Sequence, residues 1–201
     1  MRLVILGGSG SGKSTQGQRL CRHFDILHIS TGEILRQAMS GEKPFSLGEE
    51  SSLGDISSLN HLGRYAQPYV EKGELVPDNM MIDLIRTQLK QIDVNSGWLL
   101  EGYPRTAFQA EELDFLLDYL GQKLDWAIYL QVPEAVMVNR CLGRSLPDEQ
   151  PEIVQRRIEL FYDRTVPILE YYDRRRRLLT INGDQLREVV QQNILNLLSV
   201  T

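Results

Sequence analysis

The sequence predicts an α/β protein, a mainly parallel sheet covered by helices on both faces. Two patterns carry this. Short, mostly apolar runs at residues 3–6, 26–29, 97–100, 126–132 and 178–181 have strand length and the composition of buried strands. Segments with helical spacing separate them, and no internal repeat is visible. A third observation says where function belongs. A glycine-rich stretch, GGSGSGKST at residues 7–15, stands between the first strand and the first helix. In sheets of this kind ligands bind beyond the carboxyl ends of the strands, and Gly7, Ser30, Gly102 and the residues after Val132 lie at such ends.

Residues 7–14 match G-x(4)-G-K-[ST] completely, in the strand–loop–helix context the motif requires. Glycine permits close backbone approach. The N–H groups of Gly8, Ser9, Gly10, Ser11 and Gly12 can therefore point at phosphate oxygens, with the helix dipole behind them. Lys13 adds a cation near the β- and γ-phosphates, Ser14 offers a hydroxyl to Mg²⁺, and Thr15 carries the site into the helix. That helix shows Leu20, Cys21 and Phe24 at helical spacing.

After the second strand, Ser30 and Glu33 form the pattern of a capping box for a helix containing Ile34, Leu35, Arg36 and Ala38. Residues 40–59 are rich in Ser, Gly and Glu and read as a long loop or weak helical excursion. A helix is expected over 61–72 with Leu62, Tyr65 and Tyr69 on one face, ended by Gly73. Asp78 is expected to cap the next helix, which runs to about residue 92. Thr106 caps a helix through 117, Pro133 opens one to about 143, and a long helix spans 151 to about 177. Asp184 caps the last helix, with Leu186, Val190, Ile194 and Leu197 as its apolar stripe.

Composition narrows the function classes. The chain of 201 residues, 42% hydrophobic, suffices for one full core with a small inserted subdomain. A net charge of −5 disfavours a partner made of nucleic acid. Arginines outnumber lysines 17 to 5, and arginine is the better bidentate phosphate ligand. Cys21 and Cys141 fit no ligand pattern and read as buried, reduced thiols of a cytoplasmic protein. His23, His28 and His61 are too scattered for zinc. No apolar run is long enough to span a membrane, and the early first strand leaves no room for a signal peptide.

Four motifs then stand in one order: GGSGSGKSTQ at 7–16, HISTGEILR at 28–36, KGELVPD at 72–78 and EGYPRTAFQAEEL at 101–113. Together they closely resemble the adenylate kinase family of nucleoside monophosphate (NMP) kinases. The similarity continues through Arg140, Arg144 and Arg157 to Asn182-Gly183 and leaves only 40–59 uncovered. The resemblance implies a P-loop NTPase fold with a five-stranded parallel sheet. It implies a core at 1–29, 77–144 and 148–201, an NMP-binding lobe at about 30–76 with an insertion at 40–59, and a minimal lid at about 144–150. It implies the reaction Mg·ATP + AMP ⇌ 2 ADP, Mg²⁺ accompanying ATP, no structural zinc, and a monomer whose partners are ATP, AMP and ADP.

The chemistry asks little of acid–base groups. The acceptor is a phosphate whose second pKa is about 6, so it needs no general base near neutral pH. Catalysis is alignment and charge neutralisation, and cations are its signature. By resemblance Arg36, Arg105 and Arg157 hold the AMP side, Arg140 approaches the phosphates and Arg144 contacts ATP. Arg140 and Arg144, four apart, share a helix face. Arg156 is expected to face solvent, and Arg174 to Arg177 to complement a helix dipole. Base selection is expected from Thr31, Gly32, Gln109 and the backbone at Glu74, Leu75 and Val76, with Gly102 and Tyr103 completing the AMP side. Gln109 offers an acceptor and two donors to an adenine edge. Glu101 stands where the family usually has Asp and is expected to hold Mg²⁺ through water.

Ser9 and Ser14 replace the usual Pro and Gly, and Ser14 restores the general phosphate-loop pattern. Only SLPDEQ lies between Arg144 and Pro151, so an arginine usual in short lids is missing. Residues 40–59 carry two readings: a small helical flap packing Phe45, Leu47, Leu53, Ile56 and Leu59 that supplies part of the missing cover, or an acidic loop with no role. Two alternatives stay open: a kinase preferring another acceptor such as CMP or UMP, and an AMP/ATP-binding regulatory module of low activity.

Overall fold

The computed structural model describes residues 1–40, 56–93, 95–144 and 150–200, with side chains left aside at 56–60. Most of the proposed flap, including Phe45, Leu47 and Leu53, and most of the short lid, including Asp148 and Glu149, lie outside the described residues. A five-stranded parallel sheet organises the rest. Strands β1 (Arg2–Leu6), β2 (Leu27–Ser30), β3 (Trp98–Glu101), β4 (Trp126–Gln131) and β5 (Leu178–Asn182) stand in the order β2-β3-β1-β4-β5. Register places Arg2 opposite Trp98 and Leu3 opposite Trp126.

The apolar runs are continuous because both faces are covered. Leu3 and Ile5 point toward α1 (Lys13–Phe24) and α9 (Arg187–Val200), meeting Leu20, Val190 and Ile194. Val4 and Leu6 point the other way, toward α4 (Asp78–Lys90), α5 (Ala107–Tyr119) and α8 (Val166–Arg174), meeting Ile85, Leu113 and Ile168. Trp98 is fully buried, and its indole N–H is satisfied by Gln122 Oε1 at 3.2 Å. Cys21 and Cys141 are free and buried.

Helices α2 (Thr31–Ser40) and α3 (Ile56–Glu71) pack on one another. The helix α3 begins five residues before its expected start. Its buried face is Gly63 and Ala66 rather than Tyr65, which is 49% exposed and stacks on Tyr69. The reason is closeness: a Cβ on Gly63 would lie 2.0 Å from the Ala38 carbonyl oxygen on α2, so the backbones touch where a large side chain cannot fit. Gly73 ends the helix with φ +71°, Gly73 N donating to Val70 O and Glu74 N to Tyr69 O. This pair is the Schellman motif, and it fixes the exit of residues 74–76.

Two expected caps are otherwise engaged. Asp78 is the first residue of α4, and its Oδ1 accepts from Gln109 Nε2 and Thr106 Oγ1. Asp184 precedes α9 by three residues and accepts from Arg140 Nη2, while Leu186, ahead of the helix, is 74% exposed and Leu197 39% exposed. The caps at Ser30 and Thr106 are present: Glu33 N donates to Ser30 Oγ and Gln109 N to Thr106 Oγ1. After α6 (Glu134–Leu142), the expected long helix is divided into α7 (Pro151–Leu160), a π turn (Phe161–Thr165) and α8. Pro167 explains the break: it has no N–H, and its ring would collide with the Asp163 carbonyl of a regular turn. Arg174, Arg175 and Arg177 at the end of α8 pair with Glu170 and Asp114.

Candidate active site

The phosphate loop leaves β1 and closes on itself. Ser11 N donates to Gly8 O at 3.1 Å and Lys13 Nζ donates to the same oxygen at 2.7 Å. Gly10 has φ +82°, and a Cβ there would lie 2.2 Å from the Met137 carbonyl oxygen on α6, so only glycine passes. Gly12, at φ +95°, forms the N-cap of α1.

Beneath the loop sits Glu101, at the end of β3 and 7% exposed. Its Oε1 accepts from Ser14 Oγ at 2.5 Å and its Oε2 lies 3.0 Å from His28 Nε2. Burial pushes the carboxyl pKa up, but the bonds from His28 and Ser14 and the Lys13 ammonium together outweigh it, and the group sits below its ordinary range. Lys13 is pulled the other way. Burial lowers its pKa to about 8, Glu101 opposes this, and Arg105 and Arg144 add to the lowering.

Arg105 is fixed through its backbone and its side chain. Its N–H donates to Gln109 Oε1 at 2.7 Å, its carbonyl accepts from Thr165 Oγ1 of the π turn at 3.0 Å, and its Nε donates to Gly102 O at 3.0 Å. Surrounding protein, then Arg157 and Arg36, disfavour its charge. Cations held against mutual repulsion in this way create a place for an anion. Lys13, Gly8, Ser9, Arg105 and Arg157 line one narrow passage together.

Two clefts flank the phosphate loop, and the smaller opens on this passage at Ser9, Leu75, Gly102, Arg105 and Arg157. One, about 100 Å³, is lined by Thr31, Gly32, Arg36, Glu74, Leu75, Val76, Gly102, Arg105, Gln109 and Arg157, with Leu35, Met39, Val70 and Met81 as an apolar wall. The other, about 480 Å³, is lined by Gly10, Ser11, Gly12, Thr15, Arg140 and Arg144, with Gly183, Gln185, Leu186 and Arg187. Arg140 is held by Gly183 O and Asp184 Oδ1, both at 3.2 Å, and Arg144 Nη2 reaches Cys141 Sγ at 3.4 Å.

Of four expected residues, one sits differently from its sequence reading and three sit as expected with bonds the reading did not include. Tyr103 lines neither cleft: it is 1% exposed and its hydroxyl donates to Gln109 O, so it braces the loop from behind. Arg156 is exposed but paired, its Nε donating to Glu74 Oε1 at 2.7 Å. Gln109 and Thr31 line the smaller cleft with part of their bonding already spent. The Gln109 amide spans Arg105 N and Asp78 Oδ1, and Thr31 Oγ1 donates to Glu101 O at 3.2 Å. One Gln109 N–H and an oxygen lone pair remain for a ligand.

Sequence reasoning missed His28, the apolar wall, and Gln185 to Arg187. His28 stands in the HISTGEILR motif and carried a signal, since a histidine in a strand end beside the loop is available to a buried acid. The residues 185–187 carried none, because they reach the cleft only through the packing of β5 and α9.

A phosphate loop with a buried acid below it, at the carboxyl edge of a parallel sheet and between two clefts lined by arginine, defines a P-loop phosphotransferase acting on nucleotides. Residues 5–177 match the family model described as adenylate kinase. Adenylate kinase 2 of Nostoc sp. is 74% identical over 201 residues, the whole of both chains. Adenylate kinase 2 of Synechocystis sp. is 50% identical over 194 residues, 94% of this chain and 98% of that one. Adenylate kinase 1 of Nostoc sp. is 42% identical over 193 residues, 96% of each. The chain belongs to the adenylate kinase family.

Proposed function

We propose that the protein moves the γ-phosphoryl group of Mg·ATP reversibly to AMP, giving two ADP. The observation that carries this is that two clefts flank one phosphate loop, the larger along Gly10, Ser11 and Gly12 and the smaller at Ser9, Arg105 and Arg157. In this reading the larger cleft takes ATP, with its phosphates on the N–H groups of Gly8 to Thr15 and on Lys13, Arg140 and Arg144. The smaller takes AMP, its phosphate on Arg36, Arg105 and Arg157 and its base beside Thr31, Gln109 and residues 74–76. Acceptor and donor oxygens are then aligned by cations from both sides, with no proton to be removed.

Ser14 Oγ and the ionised Glu101 carboxylate are adjacent hard oxygen donors at the phosphate loop, which fits Mg²⁺ held partly through water. When bound, the ion neutralises charge on the β- and γ-oxygens. His28 keeps the longer Glu101 side chain directed at Ser14.

A cleft of about 100 Å³ is well below the several hundred Å³ that a ligand of nucleotide size occupies. The region of about 30–76, carrying α2 and α3, therefore acts as a lobe that swings away to admit AMP. The core is 1–29, 77–144 and 148–201, and 144–150 forms a small lid. The net charge of −5 and two buried thiols support a cytoplasmic protein acting as a monomer on nucleotides rather than nucleic acid. Among the described residues no helix is long and apolar enough to cross a membrane. A coupled assay of ADP formation with AMP, CMP, UMP and GMP in turn tests the proposal. AMP should give the highest kcat/KM, and equal or higher values for another acceptor overturn it.

A further inference from the structure

On the far side of α1 from the AMP cleft, α1 and α9 enclose a groove of about 710 Å³ that the chemistry above leaves unused. Its walls are cationic. Arg19, Arg22 and His23 come from α1 and Arg187 from the first turn of α9, with Gln18 and Gln191 between them. The spacing makes this a continuous strip, since residues three and four apart share a helix face. Arg19 is already oriented: its Nε donates to Gln191 Oε1 at 2.7 Å and its Nη1 to Glu188 Oε1 at 3.1 Å. The side chains of Arg22 and Arg187 make no hydrogen bond or ion pair among the described residues. Glu188 pairs with Arg19 and lies near Arg187, which leaves the groove cationic in a chain whose net charge is −5.

We propose that this groove binds a linear polyphosphate, a chain of directly linked phosphates, beside the nucleotide site. Three features select that chemistry. Guanidinium forks match phosphate oxygens in bidentate fashion. The groove runs from Ser14 to His23 along α1, roughly 13 Å at the rise of an α-helix, so donors are spread over more than one phosphate. Its lining residues are all polar or charged, from Ser14 and Thr15 to Gln191, with none of the Leu, Met and Val side chains that wall the AMP cleft. Thr15 and Arg187 also line the larger nucleotide cleft, so a ligand in the groove lies next to the donor nucleotide.

The test is calorimetric titration of inorganic tripolyphosphate into enzyme whose two nucleotide sites are first filled with diadenosine pentaphosphate. Native protein should bind. Arg22→Glu, an exposed change on α1, should bind at least tenfold more weakly while its kcat for ADP formation without polyphosphate stays within twofold. No binding to the filled native protein, or equal binding to Arg22→Glu, overturns the proposal. A parallel titration with ATP separates the sources: Arg22-dependent ATP binding assigns the groove to nucleotide phosphate chains, and its absence assigns it to the inorganic chain. Failure of diadenosine pentaphosphate itself to bind would strike at the nucleotide assignment instead. The tripolyphosphate titration is then run on unfilled enzyme, where dependence on Arg22 still decides.

Discussion

Changing Glu101 to Gln removes one negative charge from below the phosphate loop and keeps the side-chain length. The amide can still accept from Ser14 Oγ and face His28 Nε2, as the carboxylate does at 2.5 and 3.0 Å, so the fold survives and the effect is electrostatic. Lys13 registers it. Burial brings its pKa to about 8, and Glu101 is the leading influence holding it up. An opposite charge close by shifts a pKa by roughly 1–3 units. Glu101 also serves His28, so the low end, about one unit or 1.4 kcal/mol, is expected. Lys13 is a cation below its pKa and neutral above it. In native protein kcat/KM for ATP, which reports the free enzyme, therefore falls as pH rises through about 8. In Glu101→Gln the same fall begins about one unit lower, a roughly tenfold loss on the basic limb. Lys13→Arg, which cannot lose its proton in this range, should abolish the limb in both backgrounds. Initial rates of ADP formation from about pH 6 to about pH 9.5 provide the measurement. A basic limb that stays in place in Glu101→Gln refutes the coupling between these two residues.

Three further outcomes are expected. Lys13→Met should lower kcat by roughly 10²-fold or more, the scale of losing a preorganised charge-stabilising group, with thermal unfolding unchanged; a variant above a tenth of native kcat removes Lys13 from the catalytic set. Arg156→Ala breaks an exposed, solvent-screened pair to Glu74, so KM for AMP should rise only a fewfold as the lobe opens, while KM for ATP holds. Gln109→Ala leaves Arg105 N and Asp78 without their amide partner and should destabilise by about 1–3 kcal/mol in chemical denaturation, whereas Gln109→Asn with Thr31→Ala should erode the preference for AMP over CMP, and unchanged relative kcat/KM values count against base reading by these residues.

What was legible in the sequence was local. The phosphate loop, the Thr106 cap and the Gly73 terminus depend on a few consecutive residues, and each stands where its pattern predicts. The doubly covered sheet was legible too, because burial on both faces writes an unbroken apolar run into β1. Asp78 and Asp184 failed as caps for one reason: a carboxylate before a helix is also a good partner for distant donors. Gln109 and Arg140, many residues away, claimed them. The division of the long helix had a signal in Pro167, but the consequence, Thr165 Oγ1 on the Arg105 carbonyl, depends on tertiary packing. The face of α3 was misjudged because large apolar residues usually mark a contact. Here the contact is so close that Gly63 makes it.

The central place of β1 also bears on how the chain reaches its fold during synthesis. The first strand made needs neighbours on both sides, and both come late: Arg2 waits for Trp98, and Leu3 for Trp126. Until then Leu3, Val4, Ile5 and Leu6 have neither ladder partners nor a covering layer on the α4–α5 side. Pairings this distant in sequence are slow to form, and an uncovered apolar strand is the segment by which unfinished chains aggregate. The nascent N-terminal half therefore has no stable sheet of its own, and a fragment ending before residue 98 should stay unfolded.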